Sequence, residues 1–190
     1  MPSYLPPSTR PGARLMMFVD GENLAIRYSR LLANRASESH VTHDPSVLVW
    51  SRFLNIPPNI GELVRVYYYT CVSQDEVHRQ SIEDRLKALG IHAPRVFSKV
   101  KGKRSKRVDI SLATDMLSHA HRDNYDIAIL VAGDEDYVPL VQAVMAEGKR
   151  VVLWFFGDGL SRSLKVAADH YYDIGTVLFG LQSDLMYMHL

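Results

Sequence analysis

A single cysteine, Cys71, stands in 190 residues. It excludes an intrachain disulfide and reads as a small strand residue in a reducing compartment. No apolar run approaches the roughly 20 residues that span a bilayer. The opening residues 1–14 are rich in proline without an apolar stretch, which excludes a secretory signal. A cytoplasmic protein without membrane contact is the expectation. No Gly-x-Gly-x-x-Gly or Walker A run follows any predicted strand, which argues against a dinucleotide-binding enzyme. No Cys–His or Ser–His pairing stands out as a nucleophile. The histidines lack metal-ligand spacing, since His119 and His121, two apart, do not share a helix face. No internal repeat and no domain boundary interrupts the chain. Charge is nearly balanced, at a formal +1, so any electrostatic preference must come from local clustering.

Apolar residues make up 47% of the chain, enough for one domain with a full core. Strands are predicted at 14–19, 63–72, 91–100, 127–132 and 150–156, with a last short one within 171–179. Helices are predicted at 22–32, 74–89, 108–121, 137–147 and 160–168. Residues 34–46 read as a polar loop, and 45–54 as a short helix stopped by Pro57 and Pro58. Alternating strands and helices predict a three-layer α/β/α sandwich with a mainly parallel central sheet. That domain covers 14–180, with a loose tail at 1–13 and a C-terminal tail at 181–190 apolar enough to dock on a partner or on the core.

The chemistry gathers where strands end. The wholly apolar run Ile127 to Ala132 reads as a strand buried on both faces. Gly133 ends it, and Asp134, Glu135 and Asp136 follow before a helix with Pro139 near its first turn. Asp20 ends the first predicted strand in the same way. Open α/β sheets place their ligands just past the carboxyl ends of strands, at the point where strand order reverses. If the first and fourth predicted strands are neighbours there, the two acidic groups meet.

Asp109 adds a third group. At about 100° per residue it falls on the stripe of Leu112, Ala113, Met116 and Ala120, in the first turn of its helix. A carboxylate on such a stripe is costly unless paired or metal-bound, although a helix N-terminus eases its charge. Asp115 points away from that stripe and is a second-rank candidate. Each aspartate alone is explained by helix capping; three acidic groups at one sheet edge are not.

Lys99, Lys101, Lys103, Arg104, Lys106 and Arg107 form the one dense basic run, and they lead directly into Asp109. Such a run holds a phosphate backbone beside an acidic site that would otherwise repel it. Tyr67, Tyr68 and Tyr69 offer rings for base stacking, but consecutive strand residues alternate faces, so at least one belongs to the core.

Three stretches resemble the motifs of NYN domains, within the PIN-like nuclease superfamily. They are Phe18-Val19-Asp20-Gly21-Glu22-Asn23-Leu24, then Lys106-Arg107-Val108-Asp109-Ile110-Ser111-Leu112, then Ala132-Gly133-Asp134-Glu135-Asp136-Tyr137-Val138-Pro139-Leu140. The LabA-like bacterial branch is the most similar, and the likeness extends to Leu160-Ser161-Arg162-Ser163-Leu164. Arg107 stands where the family usually has Gly; Ala132 and Glu135 replace Ser and Gly. None of these positions is an acidic motif residue.

The resemblance implies a PIN-like fold and a metal-dependent ribonuclease. Asp20, Asp109, Asp134 and Asp136 would be its acidic set and Asn23 the polar residue beside them. Hard oxygen donors suit Mg²⁺ or Mn²⁺. RNA is the expected partner, with single-stranded DNA as a second substrate class; a homo-oligomer is left open. Two alternatives stand beside this reading: a nucleic-acid-binding or protein-interaction module with a vestigial pocket, and a Toprim-like DNA nuclease. Toprim sites want Glu at the end of the first strand, where this chain has Asp20.

Overall fold

The computed structural model describes residues 12–55, 61–73, 75–99 and 107–180. In chain order the elements are β1 (Arg14–Asp20), α1 (Gly21–Leu32), β2 (Val41–Asp44), β3 (Leu48–Ser51), β4 (Glu62–Val72), α2 (Glu76–Ala88) and β5 (Ala93–Ser98). Then come α3 (Arg107–His121), β6 (Ile127–Val131), α4 (Val138–Ala146), β7 (Arg150–Phe155), α5 (Arg162–Ala167), β8 (His170–Asp173) and α6 (Gly175–Phe179). The tails at 1–13 and 181–190 fall outside the described residues, apart from 12 and 13.

The main sheet has six strands in the order β5-β4-β1-β6-β7-β8, every pair parallel. The chain lays down β1, adds β4 and β5 on one side, then crosses back to build β6, β7 and β8 on the other. Strand order therefore reverses between β1 and β6, which are hydrogen-bonded neighbours as expected. Their residues are apolar on both faces because helices cover both sides. Leu15, Met17 and Val19 pack towards α1, α2 and α6, whereas Met16 and Phe18 pack towards α3, α4 and α5. The strict alternation of a strand carries Asp20 to the face of Phe18, beneath α3 and α4.

Three expectations are corrected. Residues 45–54 form no α-helix: Leu48–Ser51 is a buried strand, paired antiparallel with Val41–Asp44 inside the expected loop, and a 3₁₀ turn follows at Arg52–Asn55. Pro45 sits at the second position of a tight turn closed by Val47 N–H donating to Asp44 O (3.1 Å), with Ser46 next at φ 61°. Proline fits that turn position as readily as the first turn of a helix. Near the other end, the strand stops at Asp173, and Gly175–Phe179 is a helical turn that buries Val177 and Leu178.

All three tyrosines of the 67–69 run are buried. Tyr68 faces one core and Tyr67 and Tyr69 the other, so none offers a ring to a base. Among the described residues no helix is long and apolar enough to cross a membrane.

Candidate active site

β1 ends at Asp20, which caps α1: its Oδ1 accepts from the backbone N–H of Asn23 at 3.0 Å. The tight hand-over requires Gly21, because a Cβ there would meet the buried Tyr68 ring at 2.0 Å. Asn23 in turn accepts from the backbone N–H of Gly133 (3.2 Å), tying the first turn of α1 to the end of β6. Asp134 caps the 3₁₀ turn Glu135–Tyr137 by accepting from Asp136 N–H at 3.3 Å. The capping roles are thus real for Asp20 and Asp134. They orient both carboxylates at the point where strand order reverses.

The third element arrives through Tyr137. Its hydroxyl donates to Asp20 Oδ2 at 2.9 Å and also lies 3.2 Å from Asp109 Oδ1. Asp109 is exposed and flanks the buried stripe of Val108, Leu112, Met116 and Ala120 without lying in it, a correction to the core-facing position expected from the helical wheel. It reaches the interior only through that phenol.

The electrostatics follow from this crowding. Asp20 is 4% exposed, and burial pushes its carboxyl up to about 7. The Asn23 and Tyr137 hydrogen bonds pull the other way, and the charges of Asp109 and Glu22 add to the rise. Asp109 is also raised, first by desolvation and then, against the Tyr137 hydrogen bond, by Asp134, Glu22 and Asp136. The Tyr137 hydroxyl is held far above the ordinary phenol range by burial and by the two aspartates. Asp134 and Asp136 are exposed but near enough to weigh on Asp109.

Asp20, Asn23, Asp109, Asp134 and Asp136 therefore meet at one sheet edge. Asp115 does not join them. It accepts from Tyr69 Oη at 2.8 Å and faces Arg95 at 3.7 Å. Of the basic run, Lys99 forms an ion pair with Glu22 and Arg107 is exposed in the first turn of α3. Lys101, Lys103, Arg104 and Lys106 lie outside the described residues. Tyr137 and Glu22 carry no mark in the sequence: Tyr137 reads as an apolar residue starting a helix, and only its hydroxyl, placed by the fold, makes it polar here. Glu22 sits inside the first motif but away from its acidic position.

A groove of about 560 Å³ opens beside the cluster, lined in part by Asn23, Gly133 and Asp134. A larger, shallow depression of about 730 Å³ runs along α2 and holds none of these residues. Among the described residues no three His, Cys, Asp or Glu side chains are gathered as a ready metal cage. The donor set nevertheless fits a hard divalent cation. All the donors are oxygens, and two carboxylates converge on a single proton donor while three more crowd them, an arrangement that a cation relieves.

The protein is similar in fold to a solved Vibrio parahaemolyticus protein of unknown function. The likeness has a TM-score of 0.63 at 21% identity and covers 86% of this chain and 93% of that one. A second solved structure, Sa239, reaches a TM-score of only 0.42 at 10% identity, over 94% of this chain and 71% of that one. No curated protein matches the sequence. The NYN domain matches residues 14–176, which takes in every strand of the main sheet and all five residues gathered at its edge. The chain belongs to the NYN-domain family of the PIN-like nuclease superfamily.

Proposed function

We propose that the protein is a metal-dependent endoribonuclease of the LabA-like kind, cutting RNA by phosphodiester hydrolysis. The observation that carries this reading is the convergence of Asp20 and Asp109, from separate elements, on one phenol at the point where strand order reverses. Asp134 and Asp136 stand beside them. Family membership favours the reading over the Toprim-like alternative.

Asp20 and Asp109 would hold Mg²⁺ or Mn²⁺ together with Asp134 and Asp136. When bound, such an ion acidifies and orients an attacking water and offsets charge on the phosphate. The chain supplies the rest. Asn23 fastens the α1 turn to Gly133 and so keeps Asp20 and Asp134 at a constant separation. Tyr137 holds Asp20 and Asp109 together through its hydroxyl. Arg107, with the basic residues 99–106 before it, draws the polyanion towards the carboxylates. Lys99 also lessens the acidic repulsion by neutralising Glu22.

The test is cleavage of labelled single-stranded RNA, with single-stranded DNA alongside, in Mg²⁺, Mn²⁺ or EDTA. Asp134→Asn is the informative variant because asparagine caps helices as well as aspartate does, so the turn survives while the charge is lost. Metal-supported RNA cutting that the variant lacks is the expected result. A wild-type protein that binds the strand and never cuts it would instead favour a binding module with a pocket closed by Tyr137.

A further inference from the structure

The groove beside the acidic edge has a second wall that the proposed chemistry leaves without a task. Asn23, Gly133 and Asp134 form the side shared with the acidic cluster; Ser161, Arg162 and Ser163 form the other. Ser161 N–H donates to Gly133 O at 2.9 Å, which fastens this wall to the end of β6. Its hydroxyl accepts from Leu164 N–H and is committed to the α5 turn. Gly133 and Gly159 also line the groove. A Cβ at Gly133 would run into Phe155 at 2.2 Å, and one at Gly159 into the guanidinium of Arg27 at 1.4 Å.

The cations around the groove differ in how they are used. Lys99 pairs with Glu22, and Arg27 with Asp158 at 3.6 Å while it packs on Gly159. Arg162 is exposed and, among the described residues, has neither an ion pair nor a side-chain hydrogen bond. An arginine left uncommitted on the wall of a polar groove, with Asp134 and Glu135 on the same groove, is placed to receive an anion that those carboxylates alone would repel. A guanidinium binds a phosphate through two parallel N–H donors.

We propose that this groove seats the nucleotide next to the scissile phosphate, with Arg162 gripping its backbone phosphate and the Ser163 hydroxyl as a second donor. An RNA strand then runs from the Arg107 side of α3, across Asp109 and Asp20, to the Arg162 wall. The proposal rests on the nuclease reading for the identity of its ligand, but its test reads binding and not cutting.

The experiment is fluorescence anisotropy of a short labelled single-stranded RNA in EDTA, over a series of salt concentrations. Arg162→Ala is expected to weaken binding about tenfold at low salt. It should also flatten the slope of log affinity against log salt by about 0.7, the amount for one phosphate contact on a single strand. Arg162→Lys should restore the slope and only part of the affinity, since the paired donors are lost. Arg79→Ala, on α2 and paired with Glu76 and Glu83, should bind as wild type does. An Arg162→Ala protein with unchanged affinity and slope overturns the proposal, as does a wild-type protein that binds no RNA. Cutting with metal, measured on the same preparations, is a separate readout. Binding that depends on Arg162 without any cutting would sink the nuclease reading and keep the groove.

Discussion

Tyr137 donates its hydroxyl to Asp20 at 2.9 Å where both side chains are buried, and the same oxygen lies 3.2 Å from Asp109. A phenol has one proton to give, so two ionised carboxylates cannot both be satisfied by it. Asp109 is exposed to solvent, whereas the buried Asp20 depends on the phenol, on a proton of its own or on a cation. In the metal-free protein Asp20, raised to about 7, takes up that proton near neutrality.

The contribution of Asp20 to the stability of the metal-free protein should therefore fall as pH rises. An unfolded aspartate releases its proton near pH 3.9, whereas folded Asp20 keeps it until about 7. Across that window the folded state binds the extra proton, so the Asp20 contribution is greatest at the acid end and levels off above 7, after a loss of about 4 kcal/mol. Asp20→Asn keeps the acceptor for Asn23 N–H without the charge, and its amide N–H replaces the Oδ2 acceptor by a donor to the Tyr137 oxygen, which leaves the phenol proton to Asp109. It should match wild type near pH 4, exceed it at pH 8 and abolish cleavage. Denaturant melts in EDTA at the two pH values check this, and parallel curves for the two proteins would refute it.

Tyr137→Phe keeps the ring and removes the donor. At pH 8 the loss should be about 2 kcal/mol, the worth of a hydrogen bond to a charged group, and at pH 5, with Asp20 protonated, about 1 kcal/mol. Urea midpoints at both pH values measure the difference. An equal loss at each would mean that the bond is worth the same whether or not Asp20 is charged.

Asp115→Asn should leave RNA cleavage at the wild-type rate, in contrast to Asp134→Asn. Its partners are Tyr69 and Arg95, and asparagine can still accept from the Tyr69 hydroxyl. The stability cost should stay within about 1 kcal/mol, because the Arg95 contact is partly exposed. Side-by-side initial rates decide the matter, and loss of cutting would bring Asp115 into the site.

Gly133→Ala should cost about 1–3 kcal/mol by overpacking, since its Cβ would lie 2.2 Å from the buried Phe155 ring. It should also slow cleavage by displacing Asp134. Gly148→Ala meets no atom within 4 Å, and its cost should be limited to the φ of +74°, about 1 kcal/mol. Melting temperatures of the pair separate crowding from backbone strain.

Much of this protein is legible in order along the chain. The continuous apolar runs of β1 and β6 mark central parallel strands, because only strands covered on both faces can be apolar throughout. The acidic residues that end those runs then fall at the carboxyl edge of the sheet. Asp20, Asp134 and Asp136 follow from that local logic, and the three motifs identify the family. Pro45 shows where local logic stops. The same residue suits a helix start and a tight turn, and the burial of Leu48, Val49 and Trp50 against the α1 side decided for the turn and its hairpin.

Tertiary structure alone decided the partnerships. Asp109 lies beside its helix's buried stripe, and α3 must cross the end of β1 before that position means anything. Asp115 is one aspartate among several until Tyr69, from β4, is placed beneath it. Tyr137 patterns as core and is core; its hydroxyl acquires a role only because β1 and α3 converge on it from distant parts of the chain. Local sequence determines which segments become strands and helices and which residues stand at their ends. Which of those ends meet depends on crossovers between distant segments, and the hydrogen bonds and pKa shifts that make the site arise from that meeting.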